Sequence, residues 1–475
     1  MQPKPNILLI VMDSVRAANL SCYGYARATT PNIDKFAEEG TLFERTTSEG
    51  CWTLPVHTSL FTGLYPLNHG VTISKDALPE DYPTLAQILK EEGYQTCCFS
   101  NNAYISQNTG LGQGFDLLED VWRKINPRGI KRTRLSHIKI QLRKFGKAGE
   151  PLIAFLQMAS RVKKIFKGQK VKKDNGASLT NDMIKRWLST SRDAEKPFYL
   201  FVNYMECHEK YHPPHPYDRK FMPSKYSPWR VLQVPPDKAR VLNGDPRKKK
   251  EDLEIMTALY DGELNYLDHK IGELLEFLKS LNLLDNTVVI ITSDHGDSLG
   301  EHEELGHRKV LFEQLTHVPL IVRYPERFKA GVRNSELVQL SDLFPTILEL
   351  AGVASAKINC NGFQCLCKLK AEPLREFTIS ENTAPKSLNS IQIKSLKNKR
   401  YKFIWKSTGE HELYDLQTDP QENQNLINKE TDIAAQLQAQ LENWMREHEN
   451  HQLEKREAVF DEALSERLRA LGYVN

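Results

Sequence analysis

No stretch of about 18 consecutive apolar residues occurs among the 475 residues, so no segment reads as a membrane-spanning helix. The start, "MQPKPNILLIVMD", passes from a short polar lead straight into an apolar run closed by an aspartate. That is not the succession of a secretory signal, and a cytoplasmic location is the expectation, with peripheral membrane contact allowed. Zinc-ribbon cysteine spacing is also missing. The eight cysteines are scattered and Cys365 with Cys367 is a C-x-C pair, which points to free thiols in a reducing compartment. Internal repeats and long low-complexity tracts are absent, leaving a globular, enzyme-sized protein as the default.

What is present is enough apolar material, 40% of residues, for one large α/β domain and a smaller one. The net charge of +3 hides an asymmetry: from Val121 to Lys173 seventeen Lys and Arg face the single acid Glu150. Within this insertion, at about 121–175, Leu135, Ile138, Leu142 and Phe145 recur at helical spacing, as do Leu152, Phe155, Ala159, Val162 and Phe166. Two basic amphipathic helices are expected. They are either a solvated face packed on the body or a surface that attracts an anionic membrane or an acidic substrate. Nucleic acid is disfavoured as a partner, because aromatics interleaved for stacking on bases are missing.

Short β-branched runs alternate with helix-period segments, the pattern of an α/β fold with a mixed, mainly parallel sheet flanked by helices. "NILLIVMD" (Asn6 to Asp13), "PFYLFVNYM" (Pro197 to Met205), "TVVIITSD" (Thr287 to Asp294) and "VPLIVRYP" (Val318 to Pro325) are apolar on both faces and read as buried strands. Helices are expected at "TTPNIDKFAEEG", at "DHKIGELLEFLKSLN" from Asp268, and at "SDLFPTILELAG". Residues 1–375 read as the main domain. From 376 to 475 four short alternating segments and two terminal helices read as a small antiparallel-sheet subdomain.

Ligands of open α/β sheets sit beyond the carboxyl ends of the strands. Those ends carry Asp13, then "ECHEKYHPPH" with His208 and His212, then Asp294 and His295. Alone, each is an ordinary turn residue; together they form metal-ligand chemistry. The stretch "SEGCWTLPVHTSLFTGLYP" reads as a helix with Thr53 as N-cap, Pro55 in the first turn and Gly63 as the stop. Free N–H groups and the positive dipole end at Thr53 suit an anion such as phosphate or sulfate. A divalent cation beside the hydroxyl would turn a cap into a nucleophile. Carboxylates, a hydroxyl and an imidazole suit zinc or manganese, and magnesium or calcium less well.

"PNILLIVMDSVRAANLSCYGY", "TTPNIDKFAEEGTLFERTTS", "LPVHTSLFTGLYP", "TSDHGDSLGEH" and "ELYDLQTDPQENQNL", in this order, resemble the sulfatase-like branch of the alkaline phosphatase superfamily over nearly the whole chain. The resemblance implies a metal site of Asp13, Thr53, Asp294 and His295, with His208 and His307 lining the ester pocket. There they would contact non-bridging oxygens or protonate the leaving group. Arg16, Asn101, Asn102, His57 and His302 are further pocket candidates, and His302, Asp297 and Glu206 are a candidate second metal group.

The departures from the family pattern matter as much. Sulfatases carry a cysteine or serine, oxidised to formylglycine, within C-x-P-x-R. Here Thr53 stands at the oxidised position, His57 at the arginine, and Cys51 lies two residues too early, so no formylglycine is expected. The family's second aspartate is Ser14, and its two lysines fall at Asn101 and His307. The ligand set is similar to that of phosphoethanolamine and phosphoglycerol transferases and of phosphodiesterases. The expectation is therefore a metal-dependent hydrolase or transferase of phosphate esters through a covalent threonine, with a sulfuric ester hydrolase as the alternative. An idle family member that binds a membrane surface or a partner is the reading from another class.

Overall fold

The computed structural model describes residues 4–72, 76–125, 174–235, 241–243, 245–307, 310–353, 363–368, 375–382, 391–449 and 456–470. The main sheet has eight strands: β1 (Asn6–Met12), β2 (Thr41–Thr47), β3 (Gln95–Ser100), β4 (Leu117–Asp120), β5 (Phe198–Tyr204), β6 (Thr287–Thr292), β7 (Leu320–Arg323) and β8 (Val332–Gln339). Their spatial order is β8-β2-β7-β6-β1-β5-β3-β4. Neighbours are parallel except at β7, which runs antiparallel to both β2 and β6.

Alternation along the central strands builds two cores. Ile7, Leu9 and Val11 of β1 face one side of the sheet with Phe201 and Ile290, while Leu8, Ile10 and Met12 face the other with Leu200, Val202 and Ile291. The helices that cover these faces include α1 (Pro31–Glu38), α2 (Thr53–Thr62), α3 (Ala177–Thr190), α4 (Pro246–Ser280), α5 (Glu313–Thr316) and α6 (Leu343–Leu350). Helices α2 and α6 lie in the first core; α1, α3 and α4 lie in the second. Truncating a buried Leu or Ile to Ala in either core costs ~2–5 kcal/mol.

Sequence pattern and structure differ in two respects. The helix expected from Asp268 is the second half of α4, which starts at Pro246. Its apolar stripe already begins at Ile255 and Ala258, but the charge-rich start masks the period. Strands β2, β3, β4 and β8 carry no run that is apolar on both faces; β4 and β8 are the sheet edges, where that signature is not required.

The four C-terminal segments form a second sheet, β9 (Thr378–Asn382), β10 (Ile393–Lys397), β11 (Tyr401–Lys406) and β12 (Glu412–Asp415), antiparallel throughout and in sequence order. Helix α7 (Thr431–His448) packs Leu437, Leu441 and Trp444 onto Leu396, Phe403 and Leu413 of that sheet. Helix α8 (Glu462–Ala470) returns to the main body and adds Leu464 and Leu468 to the first core. The expected basic helices lie outside the described residues. Among the described residues no helix is long and apolar enough to cross a membrane.

Candidate active site

Three strand ends meet at one buried point. Asp13 follows β1, and its N–H donates to the Tyr204 carbonyl at the end of β5 (2.8 Å), which holds its buried carboxylate at the sheet's carboxyl edge. Asp294 and His295 follow β6 and are fully buried. Ser14 fastens the two acids together: at φ 62° it turns its N–H onto Asp294 Oδ1 (3.2 Å) and its hydroxyl onto Asp13 Oδ1 (2.9 Å). The next turn is closed from below by α5. Gly296 donates its N–H to the Leu315 carbonyl (2.8 Å), and a Cβ there would lie 2.0 Å from the Gln314 carbonyl oxygen.

Helix α2 is buried along its whole length and is stopped by Gly63 at φ 65°. Thr53 is its first residue and Trp52 is the N-cap, a correction to the expectation that Thr53 caps it. The reason is a competing partner. The Asn102 amide donates to Asp13 Oδ2 (2.7 Å) and to the Thr53 hydroxyl (3.2 Å), and that hydroxyl in turn points at Asp13 Oδ2 (3.5 Å). The threonine therefore faces the carboxylates and not the N–H groups of its own helix.

The donors present fit a divalent cation. Asp294 Oδ2 and His295 Nε2 are buried with no hydrogen-bond partner among the described residues. His295 donates Nδ1–H to the Gly296 carbonyl (2.8 Å), which leaves Nε2 as the bare lone pair, the tautomer a metal ligand needs. Burial pushes His295 down to about 4, so the imidazole is neutral at ordinary pH. Burial, with the Asp13 carboxylate beside it, pushes Asp294 well up, a repulsion that a cation would relieve. Asp13, Asp294 and His295 bring one ligand atom each within 4.8 Å of one another.

A ring of histidines adjoins these ligands. The His307 ring centroid lies 4.5 Å from that of His295 and 5.2 Å from that of His208. His307 Nδ1 lies 3.4 Å from Asp297 Oδ1, and the Tyr211 hydroxyl donates to Asp297 Oδ2 (2.5 Å). His208 Nδ1 donates to the Glu209 carbonyl (3.1 Å). Glu209, Asp297 and His307 form a second compact group of ligand types. His57 donates Nδ1–H to the Thr53 carbonyl (2.9 Å), with Nδ1 3.7 Å from Asp294 Oδ2, and burial holds it down to about 4.

Other candidates are engaged elsewhere. The His302 ring stacks on Phe312 (3.9 Å) and its Nε2–H donates to the Gln421 carbonyl (3.1 Å), so it belongs to the junction with the C-terminal subdomain and not to the pocket. Asn101 spends its amide on Thr180 (2.9 Å) and the Asn203 carbonyl (3.1 Å), fastening β3 to α3. Glu206 accepts the Ala177 N–H at the start of α3 (2.7 Å), so the expected grouping of His302, Asp297 and Glu206 does not form. Arg16 pairs with Glu301 (2.8 Å) and donates to the Asp297 carbonyl (3.3 Å), one residue removed from the histidine ring.

Sequence reasoning missed the supports of the loop that leads into α2. Ser48 donates its N–H to the Thr316 carbonyl (2.9 Å), its carbonyl accepts the Ser380 hydroxyl (2.6 Å), and the Glu381 N–H donates to the Glu49 carbonyl (2.8 Å). The C-terminal sheet thus holds the loop that leads into α2. No local signal marks these serines; the partners are distant in sequence.

Comparison with known proteins agrees with this architecture. The sulfatase family model matches residues 5–353, and that of the C-terminal region of N-sulphoglucosamine sulphohydrolase matches residues 300–451. An arylsulfatase of Clostridium perfringens is 25% identical over 445 residues, covering 90% of this chain and 91% of its own. An N-acetylglucosamine-6-O-sulfatase of Bacteroides thetaiotaomicron is 23% identical, covering 96% and 89%. The crystal structure of the phosphonate monoester hydrolase of Agrobacterium radiobacter has the same fold, with a TM-score of 0.70 at 22% identity over 94% of this chain and 96% of that one. With the family model spanning both α2 and the Asp294–His295 turn, the chain belongs to the sulfatase family of ester hydrolases.

Proposed function

We propose that this chain is a metal-dependent sulfuric ester hydrolase whose nucleophile is the Thr53 hydroxyl. One observation carries the choice of nucleophile: Thr53 opens a buried helix with its hydroxyl turned toward Asp13 and Asn102, beside Asp294 Oδ2 and His295 Nε2, which have no hydrogen-bond partner among the described residues. Asp13, Asp294, His295 and Thr53 would hold the cation. When bound, it supplies positive charge that lowers the hydroxyl's pKa and offsets charge on the transferred group.

The residues divide the remaining work. The hydroxyl proton of Thr53 passes toward Asp13 Oδ2 as Oγ1 attacks sulfur and the ester S–O bond breaks. The leaving alcohol takes its proton from His208 or His307, the ring pair beside the ligands. Water then attacks the same sulfur in line and gives a proton to the histidine that protonated the alcohol, the Oγ1–S bond breaks as Thr53 takes its proton back from Asp13, and hydrogen sulfate leaves. Asn102, donating to both Asp13 and Thr53, keeps the nucleophile aimed, and the N–H groups at the start of α2 favour the anionic group.

Threonine at position 53 supports a route without formylglycine. Its Cβ carries a methyl, so oxidation there would give a ketone and not an aldehyde. The relatives named as sulfatases favour sulfate as the transferred group over the phosphate expected from sequence. A phosphoric ester is the second reading, and Thr53 itself favours it, because a sulfated threonine lacks the second hydroxyl by which a formylglycine hydrate expels sulfate.

The test is an assay of purified protein on p-nitrophenyl sulfate, p-nitrophenyl phosphate and bis-p-nitrophenyl phosphate across several divalent ions, beside Thr53→Ala. Sulfate turnover that vanishes in Thr53→Ala is the expected result. Turnover of the phosphates alone establishes the second reading, and equal rates in both proteins remove Thr53 from the mechanism.

A further inference from the structure

The chain carries eight cysteines, and the structure sets two of them apart from the others it describes. Cys51, Cys97, Cys98 and Cys207 are buried. Cys97 and Cys98 are neighbours on β3 but face opposite cores, so their sulfurs do not meet. Cys22 is half-buried, yet burial and then the Asp34 carboxylate raise its thiol far above the usual range, which keeps it protonated and unreactive. Cys365 and Cys367 differ on both counts: each is half-buried, and their side chains are hydrogen-bonded to each other.

The turn that carries the pair is fixed in place. The Lys368 N–H donates to the Cys365 carbonyl (3.0 Å) and closes a 3-10 turn over Leu366–Lys368. On both sides of Cys365 the backbone is pinned to α6 and the residue before it: the Gln364 N–H donates to Asp342 Oδ1 (2.7 Å), and the Leu366 N–H donates to the Thr346 hydroxyl (2.8 Å). Leu366 is buried in the first core, while the cysteines on either side of it keep access to solvent. Residues two apart in such a turn have Cα atoms about 5 Å apart, within the ~4.4–6.8 Å that a disulfide spans. Cations stand beside the sulfurs: the Arg327 guanidinium reaches Cys367, and Arg327 (3.5 Å) and Lys368 (3.2 Å) share Glu349.

The hydrogen bond from Cys367 outweighs burial and brings the Cys365 thiol from 9.0 down to about 7, and the same bond raises that of Cys367. One sulfur is therefore the attacking thiolate, and the other holds the proton. We propose that Cys365 and Cys367 are a redox-active dithiol that closes to a disulfide by exchange with a low-molecular-weight disulfide of the glutathione class. The Cys365 thiolate attacks one sulfur of glutathione disulfide, whose S–S bond breaks to release the first glutathione thiolate. Cys367 then gives up its proton and attacks Cys365 Sγ, forming the Cys365–Cys367 bond and expelling the second glutathione thiolate. Two electrons pass from the cysteine pair to the oxidant, and the two thiol protons end on the two glutathione molecules. No residue of the candidate active site takes part, so the exchange stands apart from the reading of the chain as an ester hydrolase.

The experiment holds the full chain in glutathione buffers of stepped oxidised-to-reduced ratio, quenches in acid, alkylates with N-ethylmaleimide and locates the modified cysteines by tandem mass spectrometry. Wild type is compared with Cys365→Ser, Cys367→Ser and Cys360→Ser, the last because Cys360 falls on the same tryptic peptide. The expected result is a Cys365–Cys367 disulfide that forms equally in Cys360→Ser and is reversed by dithiothreitol. Cys367→Ser should stop at a mixed disulfide of glutathione on Cys365, whereas Cys365→Ser should leave Cys367 as the thiol. In reduced wild type, Cys365 should react with iodoacetamide about tenfold faster than Cys22 or more, as its greater thiolate fraction requires. No oxidation of the pair across the whole series, a disulfide that joins Cys360 to either partner, or alkylation of Cys365 no faster than that of Cys22 each overturns it.

Discussion

The hydroxyl of Ser48 donates to the main-chain carbonyl of Asp294 at 2.5 Å, tying the loop before α2 to the turn that carries Asp294 and His295. Ser48 in turn is held by Thr316 and Ser380, so three separate regions of the chain share one small residue.

Ser48→Ala should therefore lower kcat more than it raises KM. A buried carbonyl left without its donor costs about 1–3 kcal/mol, and a loop displaced by a fraction of an ångström moves Thr53. Steady-state kinetics beside metal content by mass spectrometry checks this. The metal should be retained while kcat falls about tenfold or more.

Asn102→Leu removes the amide shared by Asp13 and Thr53 while keeping the residue's bulk. The loss in kcat/KM should be on the order of 10²-fold, the effect of deleting one aimed donor in a water-poor site. Asn102→Asp should be worse still, because a third carboxylate would face Asp13. Rates for the two variants against wild type decide the order.

Lys402 is 1% exposed and reaches Glu313 (2.9 Å), Glu422 (3.1 Å) and the Thr316 hydroxyl (3.1 Å). Burial opposes the charge on Glu313, but Lys397 and Lys402 outweigh it and hold that carboxyl below the usual range. Lys402→Met leaves Glu313 with Lys397 alone and takes from the buried Glu422 its lysine partner, and breaking such a buried pair costs ~3–5 kcal/mol. Chemical unfolding of the variant should show that loss, and limited proteolysis should cut first between the C-terminal sheet and α5.

Glu206 provides a pH test away from Thr53. Burial, then the nearby Asp174, raises it from 4.5 to about 8, and its Oε2 has no partner among the described residues. A raised folded value means the native state holds the proton longer. Its contribution is fully present below about 4.5 and is lost as pH rises through about 8. Glu206→Gln should flatten that decline, at about 1.4 kcal/mol for each tenfold difference in proton affinity between folded and unfolded chains. Melting temperature against pH for the two proteins measures it.

The fold was legible where burial is symmetric. Strands β1, β5 and β6 are apolar on both faces and announce themselves, whereas β4 and β8 at the edges and the charged start of α4 do not. Of the site, Asp13, Asp294 and His295 could be found as strand-end residues. The orientation of Thr53 could not, because it depends on Asn102, 49 positions away. His302 sits near the pocket in sequence, yet Phe312 and Gln421 claim it, and contacts of that kind leave no periodic trace.

The fastening of Ser48 by Ser380 spans 332 positions, and that of Ser14 by Asp294 spans 280. Such distant closures come late when a chain emerges from its N-terminus, since the partner has not yet been made. A nascent chain that has already laid down Asp13 and Thr53 holds both side chains without the braces that set them against each other. Until Ser380 has been made, the loop that leads into α2 lacks one of the braces that position its first turn.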